Sequence, residues 1–370
     1  LKKLSAILFF LGLCIVTAIT AWVGFDVVAQ AFFSIGLCGF ILLILWQLGV
    51  DLILGKAWQA ACPQYGFLNL TGARLVREAA IACLPFSFLG GLIISIRATI
   101  LMVSKSKNRP KIGWLEAASA NVIDITTEVL GLAFYVVLGV FFLVVLHPGL
   151  NLAWTGLTGV VVMVIAVTAF VWAQQHSYNL IKQAAHFLGK HIAGPWQNLV
   201  VNGVGNFQAH LDQAWSNPHQ VGKSAFYHAI AWIANTGSTW TAFHFLGVPL
   251  GFLDVLAIEA ITCAITSILF IVPGSLGIQE AAYISLGAVY GINADLSLSV
   301  SLLRRARDIS IGIPALIGWQ IMEFMTIKNN GPDEKHPLLK NSSSSPSSEE
   351  DSHLPFYTPK EAKIPEMTFH

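Results

Sequence analysis

Asp124 and Glu128 stand four residues apart in the run DITTE, so a helix carries both carboxylates on one face, with Thr126 and Thr127 alongside. Two acids on one face of an apolar helix form a polar stripe that must face protein or water. Such a stripe suits a head-group or proton site, or a structural pair bonded to neighbouring helices. A second set, RRARD at 304–308, puts Arg304, Arg307 and Asp308 on one helix face and turns Arg305 elsewhere. Guanidiniums in an apolar run need partners. The acids in comparable runs are Asp124, Glu128, Glu280 and Asp308, with Arg97 as a further cation. Counting helical rise from the ends of the two runs, the acid face and the arginine face are expected to miss each other by roughly 10 Å unless helices tilt. A third run, VPGSLGIQEAAY at 272–283, reads as a break at Pro273, Gly274 and Gly277 followed by a helix start. Glu280 then falls in a first turn, where free N–H groups favour an acid or an anionic ligand.

Other chemistry has little support. The five cysteines are far apart with no CxxC, and the eleven histidines show no HExxH or other ligand spacing. There is no GxSxG, Walker A or dinucleotide-binding glycine pattern. The expectation is no catalytic residue, no metal and no cofactor. A net charge of +1 gives no reason to expect nucleic acid.

The elements that carry these charges are defined by where charge is missing. No Lys or Arg occurs from Ser224 to Leu303, and between Glu116 and Lys182 the only charged residues are Asp124 and Glu128. With 55% hydrophobic and 11% charged residues over 370 positions, the chain reads as a polytopic, all-α membrane protein. Eight apolar segments can be marked, at about 4–24, 30–54, 79–102, 117–146, 152–173, 224–247, 252–272 and 277–325, the last with internal breaks. The first follows Lys2 and Lys3 and is read as a span, not a cleaved signal. Basic residues place the N-terminus, the central linker and the C-terminal tail in the cytoplasm.

Segment 79–102 has basic residues on both flanks: Arg74 and Arg77 before it, Lys105 to Lys111 after it. It is therefore expected to enter and return on one side, broken at Pro85 and turning at Gly90 and Gly91. Segment 252–292 is expected to do the same from the other side. The result is six spans plus two broken re-entrant hairpins. It implies an inverted repeat, with 30–54, 79–102 and 117–146 matching 224–247, 252–292 and 296–325. The alternative is eight plain spans whose prolines only kink. Residues 1–327 make the membrane domain. Within them, 174–223 form a cytoplasmic linker of two amphipathic helices. Residues 328–370, rich in Ser, Pro and acids, read as a disordered tail.

Three stretches together carry a resemblance. They are R-x-x-R-E followed by LP and paired glycines at 74–91, then NVIDITTE, then VPGSLGIQEAAYISLGAVYGI with LSLSVSLLRRARDISIGIPALIGW. The chain resembles the flippase-like membrane family that includes the transmembrane part of lysylphosphatidylglycerol synthetases. It looks closest to the hopanoid-biosynthesis-associated HpnL branch, over roughly residues 4–325. Leu92 stands where branch members carry an acid. The resemblance implies a bacterial inner-membrane protein that moves or places hopanoid-type or related lipids, with hopanoid-synthesis or lipid-export proteins as partners. The aminoacyl-transferase domain of the lysyl-lipid synthetases is not expected here.

The function expected is a non-enzymatic lipid translocase, with Asp124, Glu128, Glu280, Arg304, Arg307 and Asp308 lining a crevice for the head group of a hopanoid or phospholipid. The alternatives are a membrane-embedded head-group transferase using Asp124 or Glu128 as general base, or a scaffold for lipid-synthesis enzymes.

Overall fold

The structure, a computed structural model, describes residues 25–83, 87–104, 112–148, 152–175, 207, 209, 211–213, 215–268 and 277–329. Among them the regular elements are all helices: α1 Phe25–Ala61, α2 Phe67–Cys83, α3 Ser87–Ser104, α4 Trp114–Leu146, α5 Leu152–Gln175, α6 Pro218–Phe245, α7 Phe252–Ile268, α8 Ile278–Val289 and α9 Ala294–Asn329. The chain divides into two compact units, Leu1–Glu323 and Phe324–His370. All the contacts described below lie in the first.

That unit is apolar outside and polar inside. Phe33, Leu45, Phe134, Phe141 and Ile165 are exposed, whereas Asn121, Asp124, His228, Thr236 and Glu259 are buried. Such a distribution is stable only where the surroundings are as apolar as the side chains they touch. Among the described residues three helices are long and apolar enough to cross a bilayer by length and composition: Ile35–Ala61, Trp114–Leu146 and Ala294–Thr326. Two others fall short for a visible reason. The buried face of α6 carries Ser224, His228, Asn235, Thr236, Ser238 and Thr239. The short α2 carries Arg74, Arg77 and Glu78.

Packing centres on α4 and α6. Helix α4 packs on α3, α5, α6 and α7, and α6 packs on α1, α4 and α7. Where α4 crosses α6, a Cβ on Gly131 would lie 2.6 Å from His228 Cβ and 2.8 Å from the Ala225 carbonyl, so only glycine lets the backbones approach this closely. Polar bonds staple the neighbours. Asn121 on α4 donates to Thr99 on α3 at 3.2 Å, and the Tyr135 and Thr236 hydroxyls meet at 2.5 Å between α4 and α6. In the turn between α1 and α2, Tyr65 donates to Glu116 at 2.8 Å. Burial and that carboxylate push its phenol well above the usual range.

Several boundaries differ from the sequence expectation. Segment 79–102 falls on two helices, α2, which begins earlier at Phe67 and runs to Cys83, and α3, which begins at Ser87. Pro85 lies outside the described residues. Gly90 and Gly91 are inside α3, not at a turn. At Gly91 the glycine serves close packing, since a Cβ there would lie 2.7 Å from Ile81 Cγ1. A Cβ on Gly72 would lie 2.8 Å from Met102 Sδ, and the two approaches together make α2 and α3 antiparallel.

Segment 277–325 has the expected internal break, dividing into α8 and α9. At Gly291 (φ +72), the Ile292 N–H returns to the Gly287 carbonyl at 2.9 Å, a helix stop that a left-handed glycine permits. Pro273 and Gly274 lie outside the described residues. Gly277, at φ +77, begins α8 as expected, and its N–H donates to the Glu280 carboxylate at 2.8 Å. The expected linker is shorter than 174–223, because α5 runs to Gln175 and α6 starts at Pro218, with proline where its missing N–H costs nothing. Likewise α9 runs to Asn329, past the start of the expected tail. Segment 4–24, most of the linker and the rest of the tail lie outside the described residues.

Candidate functional site

Two ionic networks are built by neighbouring helices, and both face one cavity. The first joins α2 to α4. Leu70, Ala73, Val76 and Ala80 pack α2 into the core, which leaves Arg74 and Arg77, three apart, aimed together at α4. Arg74 donates to Asp124 at 2.7 Å and Glu128 at 2.5 Å, and pairs with Glu78 at 2.8 Å. Arg77 lies 2.9 Å from Asp124 and 2.8 Å from Glu128. Both guanidiniums are almost fully buried. Behind them, His228 Nε2 on α6 lies 3.3 Å from Asp124, and the Trp58 ring lies 5.8 Å from the Arg77 guanidinium.

The second network joins α9 to α7 and α8. Arg304 donates to the buried Glu259 of α7 and, at 3.0 Å, to the Tyr283 hydroxyl of α8, which itself donates to Glu259. Arg305 donates to Glu280 at 2.8 Å. Arg307 donates to Asp308 at 2.9 Å and to Ser238 on α6 at 2.7 Å. The two networks have reversed polarity. In the first, the long helix α4 carries acids and the shorter α2 carries arginines. In the second, the long helix α9 carries arginines and the shorter α7 and α8 carry acids.

Between them is a cavity of about 260 Å³. Its charged lining is Asp51 from α1, Arg74 and Glu78 from α2, Glu128 from α4, and Arg304, Arg307 and Asp308 from α9. Gln47, Asn235 and Gln279 add neutral polar groups. Four carboxyls thus face three guanidiniums. Burial sharpens the asymmetry. The Arg74 and Arg307 side chains are 1% and 3% exposed, against 39% and 36% for Glu78 and Asp308. Arg74 and Arg307 are tied behind carboxylates whose oxygens face the open volume, whereas Arg304, over the fully buried Glu259, presents its guanidinium to it. Such a wall can receive a polar head group while apolar side chains outside it meet lipid tails.

Of the residues singled out from sequence, Glu128, Arg304, Arg307 and Asp308 line this cavity together. The expected separation between acid and arginine faces is bridged by the cavity itself. Asp124 does not line it; it is fully buried as the back support of Arg74 and Arg77. Nor does Glu280, which caps α8 and holds Arg305. Arg307 pairs with Asp308, an acid of the expected inventory, whereas Glu128 is held by Arg74 and Arg77, which lay outside it. Arg97 pairs with Glu323. Arg74 and Arg77, read from sequence as a cytoplasmic flank, are interior groups and carry no information on sidedness. Their i, i+3 spacing beside Glu78 is the signal that identifies them. Glu259 and Asp51 are single acids in apolar runs, and nothing in their spacing distinguishes them. Among the described residues no cluster of His, Cys, Asp and Glu could hold a metal ion.

Helical throughout the described residues, lipid-like outside and ionic inside, this is an integral, polytopic membrane protein. It belongs to the family described as the lysylphosphatidylglycerol synthase TM region, whose model matches residues 9–318. The chain is also similar to a UPF0104 membrane protein of Pyrococcus horikoshii, at 22% identity over 206 residues. That match covers 53% of this chain and 61% of the relative, so the chain spans about three fifths of its length. No solved structure matches the chain.

Proposed function

We propose that this protein is a lipid translocase: it passes the polar head group of a hopanoid-type or related amphipathic lipid through the charged cavity while the apolar tails remain in the bilayer. The observation that carries this reading is the cavity itself, a charged space lined by helices from both networks inside an otherwise apolar protein. Glu128, Arg304, Arg307 and Asp308 contact the head group. Asp124 and Glu280 hold the arginines and the helix start behind it. The helix pairs α2 with α3 and α7 with α8 act as re-entrant hairpins of an inverted repeat, in the manner of transporters whose sites form at discontinuous helices. The hopanoid assignment, the bacterial inner membrane and cytoplasmic termini rest on the resemblance to the HpnL branch and on the distribution of basic residues.

The test is reconstitution of the full chain in vesicles with head-group-labelled lipids, followed by leaflet accessibility and lipid mass. Transfer between leaflets with unchanged mass is the expected result. A changed lipid mass in the presence of a donor would replace this reading with head-group transfer. Unchanged leaflets and unchanged mass would leave the scaffold reading, in which the cavity charges are dispensable.

A further inference from the structure

Among the described residues, Asp51 is the one acid of the cavity wall that no cation holds. It is 4% exposed and makes no ion pair with any of them. Each guanidinium on the wall is already taken: Arg74 by Glu78, Asp124 and Glu128, Arg304 by Glu259, and Arg307 by Asp308. Facing Asp51 across the cavity are Arg74 and Glu78 from α2, Glu128 from α4, and Arg304, Arg307 and Asp308 from α9; α6 and α8 contribute only neutral groups there, among them Asn235 and Gln279. A buried carboxyl that lacks a cation of its own is neutralised by a proton or by an incoming cation.

A second, independent observation distinguishes these. Gln47, one helical turn before Asp51 on α1, donates from Nε2 to Asp51 Oδ1 at 3.1 Å. The other end of the same amide, Gln47 Oε1, is buried and has no hydrogen-bond partner among the described residues. A carboxylate offers it nothing, because both carboxylate oxygens only accept. A carboxylic acid offers an O–H, so that N–H···O and O–H···O bonds pair the amide and the acid at both ends. The orphaned acceptor is accounted for if Asp51 carries a proton, and an unsatisfied buried acceptor otherwise costs about 1–3 kcal/mol.

We propose that Asp51 is a proton-binding residue of the cavity, paired as the neutral acid with Gln47, and that it takes up a proton from one side of the membrane and releases it to the other as the cavity is loaded and emptied. The proton comes from water, forms the O–H on Asp51 Oδ2, and returns to water when that bond breaks. The proton site stands on Asp51 and Gln47 alone. Its coupling to lipid movement rests on the translocase reading.

Two measurements on the full chain separate these parts. The first is an acid–base infrared difference spectrum of detergent-purified protein between about pH 5 and about pH 9. The wild type is expected to show a buried carboxylic-acid carbonyl band that Asp51→Asn removes and Glu78→Gln retains; a band unaffected by Asp51→Asn would overturn the proton site. Asn keeps the shape of Asp and can pair with Gln47 as amide to amide. Should Asp51→Asn nevertheless fail to fold, Gln47→Leu decides instead, because loss of the amide partner must move the band or the pH at which it appears, and an unmoved band overturns the proposal. The second measurement is lipid movement in vesicles under an imposed pH gradient. The wild-type rate should change severalfold with the gradient, and the Asp51→Asn rate should not respond to it. Lipid movement by the wild type that ignores the gradient would overturn coupling while leaving translocation intact. No lipid movement in either protein would overturn translocation, with the infrared result still deciding Asp51.

Discussion

Glu259 is fully buried, and its partners are Arg304 and the Tyr283 hydroxyl. Removing its charge strands a guanidinium in a low-dielectric interior, which typically costs about 3–5 kcal/mol, whereas removing both charges together is far milder. Glu259→Gln is therefore expected to lower folded yield and unfolding temperature in detergent, and Arg304→Met in the same chain to restore most of both. A double variant no better than the single would show that the pair is not the structural unit. Arg307→Met with Glu280→Gln gives the contrast. These residues belong to different pairs, so their costs should add and not compensate. At this scale the sequence is informative where charges are spaced and silent where they are single. The i, i+4 acids of DITTE and the one-face set of RRARD identify Glu128, Arg304, Arg307 and Asp308. Arg74 and Arg77 stand at the edge of an apolar run, where basic residues usually mark a membrane flank, and only their burial against α4 shows otherwise. Glu259 is one acid among apolar neighbours, and its partner is 45 residues away in sequence.

At the scale of elements, the site depends on close helix crossings. Gly131 lies one turn beyond Glu128, at the α4–α6 crossing that also seats His228 against Asp124. A side chain there meets His228 Cβ and the Ala225 carbonyl with no room to spare. Gly131→Val should destabilise the fold by about 1–3 kcal/mol. Gly49→Val is the control, because a Cβ at Gly49 meets nothing within 4 Å and the residue is on the exposed face of α1. Equal thermal stability of the two variants would contradict the crossing. The antiparallel arrangement of α2 and α3 makes a separate prediction, since their outer ends lie together. In a background without native cysteines, Gln64→Cys and Ser104→Cys should react with an impermeant reagent from the same side of the membrane; labelling from opposite sides would break the pair. The long helices α1, α4 and α9 are legible from apolar length, and the start of α8 from Gly277. The start of α2 is hidden because Arg74, Arg77 and Glu78 suppress the apolar signal across a helix that belongs inside. The paired glycines look like a turn in sequence because close packing, which Gly91 serves, and tight turning both call for glycine.

At the scale of the molecule, polytopic membrane character is legible from composition, because long charge-free runs are stable where lipid surrounds them. The cavity is not legible. It requires Asp51, Arg74, Glu128 and Asp308 to meet from four helices, and no local spacing encodes that meeting. The arrangement gives the whole protein a direct test that a stability measurement alone cannot supply. The Arg304→Met, Glu259→Gln double variant keeps the interior free of stranded charge and removes one guanidinium from the cavity wall. Reconstituted beside the wild type at equal folded amount, it is expected to leave head-group-labelled lipid in its original leaflet while the wild type transfers it. Wild-type transfer by the folded double variant would contradict the assignment of this wall as the path of the head group.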